Sequence, residues 1–402
     1  MTGFRVVKDW AKGSNNLAQK DRLPEGFVRN AVNLDPTVGG TLSSRVGYER
    51  IYAGTDVRGV LALGSKLLAA DGVSLVEVDT TTGSSRVLRT IAGAGPFCGD
   101  VLNERLYFCT ANECLVYDGQ SVSKWGTTDV AGQPAVVVST GGGLIEGYYR
   151  VAMTYTNADG LEGGTDKPLV MKVAAGGKLT ITVPAPPAGM TANIYVGSVH
   201  GDAVYWQFSS TVATSYVCER VRDDTKRCTT ILLRAPQPGS KVVAHNGCLA
   251  IASENTIQVT RPMQAHLVDR VRGMIQYPAP VTDMVSAGAL FVSADKCYAL
   301  TNVETDGISQ RTVLEYPAVA GTAVLLPDGR GAWMTRYGQA ITDGENVNLV
   351  NRETFAVPEA EAGSSGVVDH NGNQLIVTSM RGKNTANPLV ASDFYIGEII
   401  NP

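Results

Sequence analysis

The 402-residue chain carries 38 acidic against 34 basic residues, a formal net charge of −4, with only 18% of its residues charged. Forty-four glycines, frequent valine and threonine, and no long heptad or amphipathic helical stretch make this an all-β composition. The charge balance speaks against a protein built to grip nucleic acid, and no apolar run approaches the ~20 residues of a membrane-spanning helix.

The chain starts Met1-Thr2-Gly3-Phe4-Arg5, without the apolar core of a signal peptide. Residues 1–55 read as an N-terminal arm. They hold Asn15-Asn16-Leu17, then Leu23-Pro24-Glu25-Gly26-Phe27-Val28-Arg29-Asn30-Ala31-Val32-Asn33, then Gly39-Gly40 and Arg45-Val46-Gly47-Tyr48. Asn30 and Asn33 suit local side-chain turns, and Gly39-Gly40 suits a hairpin. A strand between Asn30 and Ile51 is expected to act as a latch on the last unit of the fold.

From residue 56 one short pattern recurs: an apolar strand, a tight polar turn, a second apolar strand and another turn. The second strand reads Lys66-Leu67-Leu68, Arg105-Leu106-Tyr107, Cys248-Leu249-Ala250, Ala289-Leu290-Phe291, Gly331-Ala332-Trp333 and Gln374-Leu375-Ile376. Their middle residues are 39, 143, 41, 42 and 43 apart. Four intervals match the forty-odd residues of one four-stranded propeller blade. The fifth is one such period plus roughly 100 residues, the size of a small extra domain. Asp71-Gly72, Asp118-Gly119, Asn246-Gly247, Asp328-Gly329, Asp343-Gly344 and Asn371-Gly372 lie between the apolar runs, where a two-residue hairpin needs positive φ. The expected fold is all-β: an about six-bladed β-propeller (56–140 and 237–402) with an inserted β-sandwich domain at 141–236. An ordinary pair of β-sandwiches is the competing arrangement, since turn signals also recur there every 8 to 12 residues or so.

The insert opens on the alternating run Gly147 to Tyr155 and continues through Lys178 to Pro184, Ala192 to Val196 and Tyr205 to Phe208. Five to seven short alternating strands in roughly 90 residues describe a small sandwich. The wording resembles fibronectin type III-like modules, without the Cys…Trp…Cys spacing of a true immunoglobulin domain. Such a module either docks a partner or serves as a spacer.

Catalytic patterns are thin. His200, His245, His266 and His370 are the four histidines, and His245 and His370 each precede an Asn-Gly turn, which suits hairpin residues better than a metal pair. No Gly-x-Ser-x-Gly, His-x-x-x-His or phosphate-loop pattern occurs. Propeller glycosidases use inward-facing carboxylates, for which Asp100, Asp283 and Asp369 near first strands are the candidates; strand-end turn residues are the simpler reading. Of seven cysteines, Cys98, Cys248 and Cys297 read as small buried hydrophobes, and Cys109 with Cys114 has no second close pair for zinc. No enzyme, cofactor or metal is expected.

The segment holding Asn16, Leu23, Pro24, Phe27, Arg29, Asn30, Asn33, Arg45 and Tyr48 resembles the opening of tail hub or nozzle proteins of short-tailed bacteriophages, an Asn-rich leader before Leu-Pro-x-Gly-x-x-Arg-Asn-Ala-Val-Asn-x-Asp and an Arg-x-Gly-Tyr arm. The resemblance covers that segment closely and the remainder loosely. It implies a structural virion protein and nominates those nine residues for arm and assembly contacts. It further implies a homo-oligomeric ring, with a hexamer as the expected number, that continues the DNA-ejection channel. Its partners would be the portal and adaptor proteins, a tail fibre or tailspike, and a distal plug or needle. Double-stranded DNA would pass without specific binding. The protein would be assembled in the bacterial host cytoplasm and reside in the virion tail. A receptor- or glycan-binding virion protein using the propeller face is the alternative, and a propeller glycoside hydrolase a remoter one.

Overall fold

The computed structural model describes residues 10–382 and 396–400, except 30, 32–33, 38, 45–46, 48, 306 and 371–372. Its regular structure is antiparallel β throughout, apart from one 3-10 turn at Lys20–Arg22. The chain divides into two compact units, 54–276 and 1–53 with 277–402.

Three repeat sheets lie in the unit 54–276. The first is Val57–Leu63, Lys66–Asp71, Ser74–Asp79 and Ser85–Thr90, and the second Cys98–Leu102, Arg105–Cys109, Cys114–Tyr117 and Val122–Lys124. The third runs Lys241–His245, Cys248–Ser253, Thr256–Arg261 and Gln264–Asp269, with Leu233–Arg234 and Met274–Gln276 added at its outer side. In each, the strand expected from the repeat is the second strand of a consecutive antiparallel meander. The Asn246-Gly247 turn shows the local cause. His245 pairs with Cys248, and the two residues between have φ of 45° and 76°, the left-handed pair that a two-residue hairpin requires.

Neighbouring sheets meet through their first strands. Gly99 lets the first two approach: a Cβ there would stand 2.9 Å from Leu61 Cδ1 of the first sheet. Leu68, Leu75, Leu106, Phe108, Leu115 and Tyr117 fill the core between these two sheets. The second and third sheets are joined although the chain leaves one near Trp125 and enters the other near Leu233. Trp125 donates its indole N–H to Ala265 O at 2.7 Å, and Asp100 accepts from Ala244 N at 2.7 Å.

Between those points the chain builds two more sheets. One orders Val136–Leu144, Gly177–Val183 and Thr214–Cys218; the other orders Leu169–Val173, Gly147–Thr156, Thr191–Gly197 and Val204–Ser210. Leu144, Leu179, Ile181 and Cys218 from the first pack with Tyr149, Val151, Met153, Ile194 and Val196 from the second in one buried cluster. The expected boundary at Gly141 falls inside the strand Val136–Leu144. Gly141-Gly142-Gly143, at the expected domain edge, forms an irregularity between Thr140 and Leu144, both opposite Gly177, where a Cβ on Gly142 would come within 2.4 Å of Gly177 O. Glycine inside a strand marks a bulge as readily as a linker. Asp129 joins the two ends of this excursion by accepting from Ala235 N at 2.9 Å and Gly164 N at 3.2 Å.

The second unit holds the fourth sheet, Asp283–Ala287, Ala289–Ser293, Cys297–Thr301 and Ser309–Leu314, and the fifth, Val324–Leu325, Gly331–Thr335, Gly338–Thr342 and Val347–Leu349. The sixth comprises Ala362–His370, Asn373–Arg381 and Ile396–Ile400. Again the expected strand is second in each. Phe291 and Trp333, with ring centroids 5.5 Å apart, anchor the core between fourth and fifth sheets. Leu326, Ala332 and Ile376 do so between fifth and sixth. The latch expected between Asn30 and Ile51 falls partly outside the described residues. In the N-terminal segment Leu34–Pro36 pairs with Leu42–Ser44, so the hydrogen bonds of this short ribbon close on themselves around the Thr37–Thr41 turn. The turn Asn371-Gly372 lies outside the described residues.

Candidate functional site

The residues nominated for assembly begin at a folded arm. Its halves run side by side: Asn15 N donates to Val28 O and Val28 N to Gly13 O, both at 2.8 Å. Asn15, only 7% exposed, accepts from Ala18 N through Oδ1 at 3.0 Å, which turns the chain into the Lys20–Arg22 turn. Arg29 reaches back to Ala18 O. Leu23 and Phe27 are half-buried and Pro24 is exposed; the Lys12 ammonium stands 5.8 Å from the Phe27 ring centre.

Asn16 ties this arm to its unit. Its side chain donates to Ala356 O at 3.2 Å and accepts from Ala356 N at 2.7 Å, while its backbone N donates to Thr354 O at 3.0 Å. The carboxamide thus acts as one rung of a strand, satisfying both polar groups of Ala356. Among the nine nominated residues Asn16 alone has this reach to distant chain within the described set. Asn30, Asn33, Arg45 and Tyr48 lie outside the described residues. The receiving segment 350–356, which follows the fifth sheet, was not legible beforehand, because Asn16 and Ala356 are 340 residues apart. Beside it, Leu349 to Thr354 line an open recess of ≈ 340 Å³. Close in sequence, Arg336 stacks on two tyrosines, 4.6 Å from the Tyr337 ring centre and 5.4 Å from that of Tyr316. No spacing announces that cluster, since Tyr316 lies in the connection after the fourth sheet and Arg336-Tyr337 in a hairpin turn of the fifth.

Asp100 and Asp283, two of the three carboxylates considered for catalysis, are engaged by backbone. Asp100 accepts from Val101 N as well as Ala244 N, each at 2.7 Å. Asp283, 3% exposed, accepts from Met284 N at 3.2 Å and Ala323 N at 2.7 Å. Each therefore fastens its own first strand to the backbone entering the next sheet. Burial pushes the Asp100 carboxyl above its ordinary value, against the two N–H donors that favour the charged form. Asp369 is exposed on the strand Ala362–His370. His245 is buried at its hairpin, burial holds His266 below the ordinary imidazole value, and His200 meets Tyr148 edge-on. The His370 side chain is outside the described set. Among the described residues no group of three or more His, Cys, Asp or Glu is arranged to hold a metal ion, and no helix is long and apolar enough to cross a membrane.

Two charged clusters were not foreseen. Glu77 receives Arg86 Nη2 at 2.8 Å and the Tyr117 hydroxyl, with Lys66 Nζ at 3.5 Å; Lys66 and Arg86 also donate to Gly119 O and Gln120 O. Burial works to raise its pKa, but the Arg86 and Tyr117 hydrogen bonds and the Arg86 and Lys66 charges outweigh this and hold it below the ordinary carboxylate value. Glu162 receives Thr154 Oγ1 at 2.6 Å, the Tyr195 hydroxyl at 2.5 Å and Lys226 Nζ at 2.7 Å. In both, a carboxylate fastens strands together beneath long basic side chains.

No family model matches the chain, and no curated protein matches it. Among solved structures, a streptogramin B lyase is 12% identical, covering 88% of this chain and 97% of its own, with a TM-score of 0.33. AztD of Citrobacter koseri is 9% identical, with coverages of 91% and 96% and a TM-score of 0.34. The AfRom2 CNH domain is 9% identical, with coverages of 86% and 94% and a TM-score of 0.29. These likenesses fix neither a blade number nor an activity.

Proposed function

We propose that the chain is a structural virion protein, a tail hub or nozzle subunit of a short-tailed bacteriophage. In this reading it is a six-bladed β-propeller carrying a fibronectin type III-like sandwich between its second and third blades. The N-terminal segment carries the proposal. Its residues resemble the opening of those tail proteins, and Asn16 within it clamps backbone 340 residues away. The meanders at a period of about forty residues, and the Trp125–Ala265 and Asp129–Ala235 bonds that join the ends of the excursion, support the architecture. The engagement of Asp100 and Asp283 by backbone favours a scaffold over a glycosidase site, where carboxylates face substrate.

Copies would close a ring through heterologous side-to-side contacts, continuing the channel by which DNA leaves. The inserted module would project outward to a fibre or spike. A channel that lets a polyanion slide avoids an array of Lys/Arg–phosphate contacts, each of which adds salt-dependent grip. Negative-stain imaging of the purified protein and of antibody-labelled virions tests this. Rings with an open bore at the tail are expected; a monomer or trimer that retains glycan would replace the proposal with a receptor-binding role. In an anisotropy titration, micromolar binding of duplex DNA that weakens steeply with salt would remove the sliding channel.

A further inference from the structure

Cys98, Cys109 and Cys114 stand side by side on three neighbouring strands of the second sheet. In ladder register Cys98 faces Cys109 and Cys109 faces Cys114. Thr110 N donates to Glu113 O at 2.9 Å, so the adjoining rung, Cys109 with Cys114, is of the non-hydrogen-bonded kind in which side chains stand closest. The two sulfurs are 3.5 Å apart, a separation that a small χ1 adjustment reduces to the ~2.05 Å of a disulfide. Cys109 is fully buried and Cys114 is 7% exposed, among Trp125, Val242, Leu249 and Ile251. Cys98 is the less buried end of the row, its thiol directed at Gly239 O at 3.4 Å. Hydrogen bonding from Cys114 lowers the Cys109 thiol below its ordinary value, against the burial that raises it.

We propose that Cys109 and Cys114 are an oxidisable dithiol, closed to an in-sheet disulfide by a small peroxide, with Cys98 as the alternative partner of Cys109. The Cys109 thiolate attacks one peroxide oxygen: the S–O bond forms, the O–O bond breaks, and hydroxide leaves carrying the electron pair. Cys114 surrenders its proton to that hydroxide, and its thiolate attacks the Cys109 sulfenic sulfur. The S–S bond forms and the S–O bond breaks, and the departing hydroxide takes a proton from solvent. Two thiols and one hydrogen peroxide become one disulfide and two waters. The product pins the turn between Thr110 and Glu113. None of this depends on the virion reading, since the row is defined by strand register alone.

Trypsin separates the outcomes, because Cys98 lies in the peptide 90–105 and both other thiols lie in 106–124. The full-length folded protein is treated with hydrogen peroxide, denatured, alkylated and digested. Peptide 106–124 is expected two hydrogen masses lighter and unalkylated, with Cys98 alkylated, so that alkylatable thiols fall from seven to five. A doubly alkylated 106–124, sulfinic or sulfonic products, or a link between the two peptides as the main product overturns the assignment. Cys109→Ser abolishes the loss. Cys114→Ser, which leaves Cys109 in place, diverts the reaction to a link between 90–105 and 106–124. A Cys109 that stays alkylatable in that variant, with melting unchanged, removes its role as the reacting thiolate.

Discussion

The repeat sheets and the paired sheets between them are both antiparallel, yet they bury their strands differently. Ala289–Ser293 and Gly331–Thr335 are buried at every position, and Cys248–Ser253 at all but the last. Gly177–Val183 alternates buried and more accessible residues along its length, and Thr214–Cys218 follows the same rhythm. A strand covered on two faces must be apolar throughout, while a strand covered on one face alternates. The repeat sheets therefore need polar fasteners at their margins. Asp100 and Asp283 provide them by accepting from backbone N–H groups at the next sheet, and Glu77 by accepting from the Tyr117 hydroxyl of the second sheet. The paired sheets instead share one apolar core and keep their polar network, centred on Glu162, away from it.

The sharpest way to break that contrast is to truncate adjacent residues in both kinds of strand. Leu290 and Phe291 are 0% and 2% exposed and point to opposite faces, so Leu290→Ala and Phe291→Ala should each cost about 2–5 kcal/mol. In the alternating strand, Ile181→Ala should cost a similar amount, whereas its exposed neighbour Thr182→Ala should stay within about 0.5 kcal/mol. Urea denaturation reads all four. A tolerant Leu290 or Phe291 would mean that one face of the fourth sheet is uncovered in solution.

The fasteners come next in size. Asp283→Ala leaves the Ala323 and Met284 N–H groups without their acceptor and should lower stability by about 1–3 kcal/mol, with Asp283→Asn intermediate because one acceptor oxygen remains. An Asp283→Ala protein that melts like the parent would make the carboxylate a bystander and reopen its use toward a ligand.

A pH series distinguishes two fasteners of opposite sign. Glu77 has a folded pKa below its unfolded value, so its contribution is present above the ordinary carboxylate range and is lost as pH falls through the folded value. Asp100 has a folded pKa above its unfolded value, so the folded state holds more protons and stability declines as pH rises from the ordinary value through the raised one. Relative to Glu77→Gln, the parent should gain stability as pH rises through the acid range; relative to Asp100→Asn it should lose some. At neutral pH Glu77→Gln should cost about 1–2 kcal/mol, a figure reduced because Arg86 is more than half exposed. Parallel trends for the two variants would show that one of the assigned environments is wrong.

What the sequence disclosed follows from range. The period of the second strands and the Asn-Gly and Asp-Gly turns are local signals, and Lys66-Leu67-Leu68 through Gln374-Leu375-Ile376 each stand second in a sheet. Alternation likewise located four of the seven strands of the paired sheets, Gly147–Thr156, Gly177–Val183, Thr191–Gly197 and Val204–Ser210, while the expected boundary at Gly141 fell inside a strand because a bulge and a domain edge use the same residue. The Asn16–Ala356 clamp, the Asp100–Ala244 fastener and the Arg336–Tyr316 stack join residues whose separations carry no periodicity. Their residue types are also common enough in turns to be read that way. The thiol row was hidden for the same reason: the spacing of Cys98, Cys109 and Cys114 has no meaning until strand register is known.

The smallest expected effect compares two hairpins at matching places in neighbouring sheets. In the third, Asn246-Gly247 carries positive φ with a glycine second; in the second, Asn103-Glu104 adopts φ of 50° and 61° with a glutamate there. Leu102 pairs with Arg105 across that turn as His245 pairs with Cys248, so both are two-residue connections. A β-carbon in the left-handed region crowds its own carbonyl, which costs about 1–2 kcal/mol relative to glycine. Glycine loses more backbone freedom on folding, which returns roughly 0.5–1 kcal/mol of that advantage. Glu104→Gly should therefore stabilise the protein by about 0.5–1 kcal/mol, and Gly247→Ala should destabilise it by a similar amount. Thermal melts of the two variants give the signs. A destabilised Glu104→Gly would mean that the glutamate side chain has a partner in solution worth more than the strain it imposes, and the turn would then join the fasteners as a specific contact.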